Sequence, residues 1–333
     1  MDAENVSSWL PDIVITDEGK ERRVGIEVEF AGIDPIIAAT CVRDQFGGSV
    51  ESSNIFEVRV VDTTLGDFLV ELDTNYLKPI GERLSQFTGA DVLESMASEL
   101  ITRAAEQFVP WELVSPPIPL SNLENFQHLL DHFKDEGALG TRHAIHYAFG
   151  LHLNPELPNL KPETILNYLR AYFCLYDWIV EQERIDFARK LTPYINHFDK
   201  SYIQKILDSS YKPDQPKLID DYLEANPTRN RSMDLLPLFS FLDEDRVRQA
   251  IDDKRIKSRP TLHYRLPNCD IDNASWSLLN PWGEWLKVEK LANNPKLLSN
   301  ICTQYQQYLS SFTNPFSNQW LQQTQQWLSE LDN

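Results

Sequence analysis

The chain has 333 residues, 42% of them hydrophobic and 11% aromatic, enough to bury a substantial core and too apolar for a disordered segment. Its 31 basic and 50 acidic residues leave a formal charge of −19. Such a surface repels phosphate backbones and anionic bilayers, so neither nucleic acid nor a membrane is an expected partner.

The opening stretch, "MDAENVSSWLPD", is acidic and lacks the basic-then-apolar layout of a signal peptide. No apolar run approaches the ~20 residues of a membrane span, and a cytoplasmic setting is the expectation. Residues 1–20 read as a polar lead-in, and residues 21–333 as a single α+β domain with a helical C-terminal part. Four scattered cysteines, Cys41, Cys174, Cys269 and Cys302, contain no C-x-x-C pair and give neither a disulfide framework nor a zinc knuckle.

The first strand is "RVGIEVEFAG". "DPIIAATCVRDQFGG" reads as a helix with Asp34 as N-cap, Pro35 in the first turn and Gly47 as its stop. "NIFEVRVVD" and "FLVELD" alternate at period 2 as half-buried strands. A helical stripe runs through Leu93, Met96, Leu100, Ile101, Ala104 and Phe108. "VPWELVSPPIPL" is a short strand closed by prolines, and "SNLENFQHLLDHFKDEG" a helix with Ser121 and Glu124 as a capping box and Gly137 as terminator. "IHYAFGLHLNP" is a strand, "KPETILNYLRAYFCLYDWIVEQE" a long helix, "DSSYKPDQPK" a flexible loop, and "RPTLHYRLPNC" a late strand. From Trp282 onward the chain is helical and glutamine-rich.

Alternation then sorts the polar residues onto faces. Glu27 and Glu29 oppose Ile26, Val28 and Phe30; Glu57 and Arg59 oppose Phe56, Val58 and Val60; Glu71 and Asp73 oppose Phe68, Val70 and Leu72. His146, His152 and Asn154 share a face with small Ala148 and Gly150, and His263 and Arg265 oppose Leu262, Tyr264 and Leu266. Two like charges about 5 Å apart at an effective dielectric of about 20 repel by on the order of 3 kcal/mol. Either solvent or a bound cation must offset that for Glu27 and Glu29. A face that collects carboxylates, histidines and arginines suggests a polar cleft able to hold hard cations through oxygen. His128, His132, His143 and His197 read as surface or packing residues, and Glu57, Glu71 and Arg59 as an ion-pair row.

The ordered series "VGIEVEF", "FLVELD", "WELVSPP", "GLHLN" and "HYR", spanning Glu21 to Trp285, resembles the amidoligase family of carboxylate–amine ligases, itself similar to glutamine synthetase and glutamate–cysteine ligase. The resemblance implies a curved antiparallel sheet with helices on one face, ATP, and Mg2+ or Mn2+. It implies Glu27, Glu29, Glu112, His152 and Asp73 as metal ligands and Arg265, Arg189 and Glu112 as catalytic residues. Arg265, Arg231, Asn230, His263 and Asn154 would meet the nucleotide or substrate. This chain has His263 where relatives often carry Glu, and Asn154 where they carry a second His. The implied reaction is ATP-dependent amide formation through an acyl phosphate, on small-molecule carboxylate and amine substrates, and is compatible with a homo-oligomer. Two alternatives stand beside it. One is a zinc hydrolase using His146 and His152, although no H-E-x-x-H cluster occurs. The other is a nucleotide- and metal-binding protein without turnover.

Overall fold

The computed structural model describes residues 7–54, 56–72, 110–143, 149–183, 197–310 and 319–331. In chain order the strands are β1 Arg23–Phe30, β2 Ser49–Asn54, β3 Glu57–Val61, β4 Phe68–Leu72, β5 Trp111–Val114, β6 Ile118–Pro119, β7 Leu151–Pro155, β8 Met233–Asp234 and β9 His263–Tyr264. The α-helices are α1 Pro35–Phe46, α2 Leu123–Asp135, α3 Pro162–Gln182, α4 Lys200–Leu207, α5 Gln215–Ala225, α6 Leu236–Leu242, α7 Glu244–Ala250, α8 Leu279–Ala292, α9 Pro295–Ser310 and α10 Gln319–Leu331. The fold is α+β with mostly antiparallel strand pairing. The chain divides into two compact units. One comprises Gly25–Leu153 and Pro267–Leu278, and the other Met1–Val24, Asn154–Leu266 and Leu279–Asn333.

The first of these is built on strands in the order β2-β3-β4-β5-β1-β7, with β6 beside β1. Period-2 alternation drives the apolar set to one side: Ile26, Val28, Phe30, Val58, Val60, Phe68, Val70, Leu72 and Leu113 are all buried. Helices α1 and α2 cover this set, with Phe30 edge-on to Phe133 at 5.1 Å and Phe46 stacked on Phe68 at 5.5 Å. Truncating Phe30 to Ala would cost about 3–5 kcal/mol, the usual toll for a large aromatic in a closed core. Helix α1 starts as its sequence dictates: the Asp34 side chain accepts from Ile36 N at 2.8 Å, and Pro35 occupies the first turn. It stops at Gly47, with φ of 76°. The next residue, Gly48, also needs a positive φ of 88°, and a Cβ there would run into the Val61 carbonyl, so glycine is required.

The second unit is organised around α3, which packs against α4, α8, α9 and α10. Its apolar residues surround much of the helix, with Ile165, Leu169, Tyr172, Phe173, Leu175 and Ile179 all buried, the signature of a helix covered on several sides. The N-terminal segment is tied down by Arg22, whose guanidinium makes a two-pronged ion pair with Glu289 at 2.8 and 2.7 Å and donates to the Ile13 and Glu156 carbonyls. Trp282 Nε1 also donates to the Trp9 carbonyl at 2.7 Å.

Several local expectations change. Helix α2 is entered through a 3-10 turn, Leu120–Asn122, and Asn122, the residue before its first turn, makes no side-chain cap bond. The expected loop ends early: Asp214 caps α5 by accepting from Lys217 N at 3.0 Å, turning "QPK" into a first helical turn. The late strand shrinks to His263–Tyr264 because Pro260 and Pro267 bracket it and offer no ladder N–H. The helix expected around residues 93–108, and Asp73, His146 and Arg189, lie outside the described residues.

Candidate functional site

Strand pairing in the first unit lines up carboxylates. Glu57 stands opposite Glu71, Glu71 opposite Glu112, and Glu112 opposite Glu29, so one row crosses β3, β4, β5 and β1. Its outer end is neutralised where Arg59 Nε meets Glu57 at 2.8 Å. The inner end is buried: Glu29 is 8% exposed, and Glu112 is half-buried.

β7 adds the imidazole. All five of its residues are buried, so its polar face is not a solvated one. His152 Nδ1 lies 3.0 Å from Glu27 Oε2, hydrogen-bond distance, and Nε2 lies 3.8 Å from Glu29 Oε1. Glu112 Oε1 is 4.0 Å from the same ring. The Gly150 N–H donates to Glu29 Oε2 at 2.7 Å, and Glu29 N–H returns a bond to the Gly150 carbonyl. Absence of a side chain at Gly150 lets backbone and carboxylate approach this closely. Ligand atoms of Glu29, Glu112 and His152 fall within 4.8 Å of one another, a set able to hold a metal ion.

The second unit carries a polar group on β8, β9 and their flanks. Arg265 is 7% exposed and donates through one NH to the Arg229 carbonyl at 2.8 Å, while its Nε has no hydrogen-bond partner among the described residues. Burial, then the charges of Arg265 and Arg255, pull the Arg229 guanidinium below its usual range. Asp234 stands opposite His263 in the β8–β9 ladder, with its Oδ2 4.0 Å from His263 Nδ1. Burial pushes the Asp234 carboxyl up to about 6, against the opposing pull of a backbone hydrogen bond from Leu236 and the charges of Arg265, Arg229 and Arg259. Arg259 donates to Asn154 Oδ1 at 2.7 Å.

Glu27, Glu29, Glu112 and His152 are thus brought together, and Arg265, His263 and Asn154 lie in the other unit. Asn230 is half-buried in the turn before β8. Arg231 is engaged in packing: it donates to the His197 carbonyl at 2.6 Å and lies over the Phe198 ring at 5.5 Å. Sequence reasoning passed over Asp234, Arg229 and Arg259. β8 is two residues long, too short to show a period, although Asp234 two residues before α6 was a visible helix-start signal.

An antiparallel sheet bearing a buried carboxylate–imidazole set defines a metal-capable site on an α+β scaffold. A family model described as "putative amidoligase enzyme" matches residues 20–287, and the chain belongs to that amidoligase family. No curated protein and no solved structure shows a significant match to the chain. Among the described residues no helix is long and apolar enough to cross a membrane.

Proposed function

We propose that the protein is an ATP-dependent carboxylate–amine ligase that uses Mg2+ or Mn2+ and joins its substrates through an acyl phosphate. A substrate carboxylate oxygen bonds to the γ-phosphorus of ATP as the bond to the ADP oxygen breaks. The amine nitrogen then bonds to the acyl carbon, gives up a proton, and phosphate leaves. A cytoplasmic setting goes with that use of ATP.

Family membership supports this reading, and the convergence of Glu29, Glu112 and His152 carries it. The donor set fits a divalent cation. Two carboxylates supply hard oxygen ligands, and their opposed positions on β1 and β5 are unfavourable until a positive charge relieves them. Glu29 and Glu112 hold the ion through oxygen and His152 through nitrogen. A cation held there neutralises charge that develops on transferring phosphoryl oxygens. Glu27, at 3.0 Å from His152 Nδ1, fixes the ring's orientation and tautomer. The Gly150 N–H holds the second Glu29 oxygen in place. Arg265, crowded by Arg229, supplies a fixed cation with an open donor, suited to a phosphate oxygen.

Hydroxylamine can stand in for the unknown amine. With Mg·ATP and a panel of carboxylic acids, one class of acid should raise phosphate release and yield its hydroxamate in proportion. Phosphate release that never yields a hydroxamate, or no turnover with any acid, would count against the ligase.

A further inference from the structure

Cys174 on α3 and Cys302 on α9 place their Sγ atoms 3.9 Å apart across two helices that pack together. They are 128 residues apart in sequence, both are free thiols, and they are 1% and 4% exposed. The nearby Arg170, one turn before Cys174, spends its guanidinium on the carbonyls of Ile206, Asp208 and Tyr211 at 2.7, 2.9 and 3.0 Å. Carbonyls fix the group without cancelling its charge, so a pinned cation stands beside the dithiol. The two sulfurs are unequal. The hydrogen bond between the two sulfurs, aided by Arg170, holds Cys302 below the usual thiol range against the cost of burial. Burial raises Cys174 well above that range. Such a pair has one sulfur suited to attack and one suited to resolve.

We propose that Cys174 and Cys302 are a reversible dithiol–disulfide site that staples α3 to α9, with a small hydroperoxide as the oxidant. The Cys302 thiolate attacks the outer peroxide oxygen, the O–O bond breaks, and the alcohol or water leaves, giving a sulfenic acid on Cys302. The Cys174 sulfur then bonds to the Cys302 sulfur, the S–O bond breaks, and hydroxide departs with the Cys174 proton as water. Two thiols lose two electrons and two protons, and the hydroperoxide is reduced to alcohol and water. The sulfurs need only close from 3.9 Å to about 2.05 Å, within the reach of side-chain rotation. A thiol reductant reverses the step. This site is independent of the ligase reading.

The test treats the folded full chain with dilute hydrogen peroxide, blocks remaining thiols after denaturation, and maps peptides without reduction. Titratable thiols should fall from four to two. A single cross-linked peptide pair containing Cys174 and Cys302 should appear, disappear with dithiothreitol, and accompany a rise in melting temperature. In Cys174→Ser, Cys302 should stop at a sulfenic acid trapped by dimedone. Four thiols surviving the treatment, a link through Cys41 or Cys269, or wild-type Cys302 carried to sulfinic acid with Cys174 untouched would each overturn the proposal.

Discussion

Glu29 stands directly opposite Glu112 across the β1–β5 ladder, and both carboxylates border the His152 ring. Like charges paired this way weaken a sheet by roughly 0.2–1 kcal/mol. Glu29→Gln keeps the volume, and its carbonyl oxygen still accepts from Gly150. In metal-free buffer the variant should therefore melt at or slightly above the wild-type temperature. A clear drop in melting temperature would make Glu29 a structural residue.

The buried Arg22–Glu289 pair is a different case, because each partner would strand the other. Glu289 also accepts from Trp285 Nε1 at 2.8 Å and from the Tyr168 hydroxyl at 3.3 Å. Glu289→Ala should cost about 3–5 kcal/mol of unfolding free energy. Arg22→Ala should cost roughly 1 kcal/mol less in that background than alone, since the charge it strands is already gone. Strictly additive denaturation midpoints would contradict the coupling.

Glu284 sets a pH dependence. Burial, then the adjacent Glu183 carboxylate, pushes the Glu284 carboxyl far above the usual carboxylate range. The folded state therefore keeps a proton that the unfolded chain releases above its ordinary value of 4.5. This stability is full below that pH and is lost as pH rises, at up to about 1.4 kcal/mol per pH unit. Glu284→Gln, permanently neutral, should gain on wild type steadily from about pH 5 to about pH 8. Parallel stability curves would show that Glu284 ionises freely in the fold.

In the first unit β1, β3 and β4 were legible in the sequence because they alternate over five or more residues, and α1 carries its own cap and stop, whereas polar β2 shows no such alternation. Only the family resemblance pointed to Glu112, but Glu27 and Glu29 could be placed on a face by the same count. Their neighbours across the sheet could not, since register depends on strands far apart in the chain, as when Glu29 meets Glu112. The second unit hid more. Two-residue strands carry no period, so Asp234, Arg229 and Arg259 passed unnoticed, and the bond from Arg231 to the His197 carbonyl has no local signal. Arg22 and Glu289, 267 residues apart, carry no local signal of their pairing.

The most direct measurement is a titration with Mn2+ followed by electron paramagnetic resonance, which reports the free ion. Wild-type protein should remove Mn2+ from solution at a saturable site, and both Glu29→Gln and Glu112→Gln, folded and with unchanged melting temperatures, should lose most of that binding. Equal Mn2+ uptake by wild type and both variants would contradict a metal held by Glu29, Glu112 and His152.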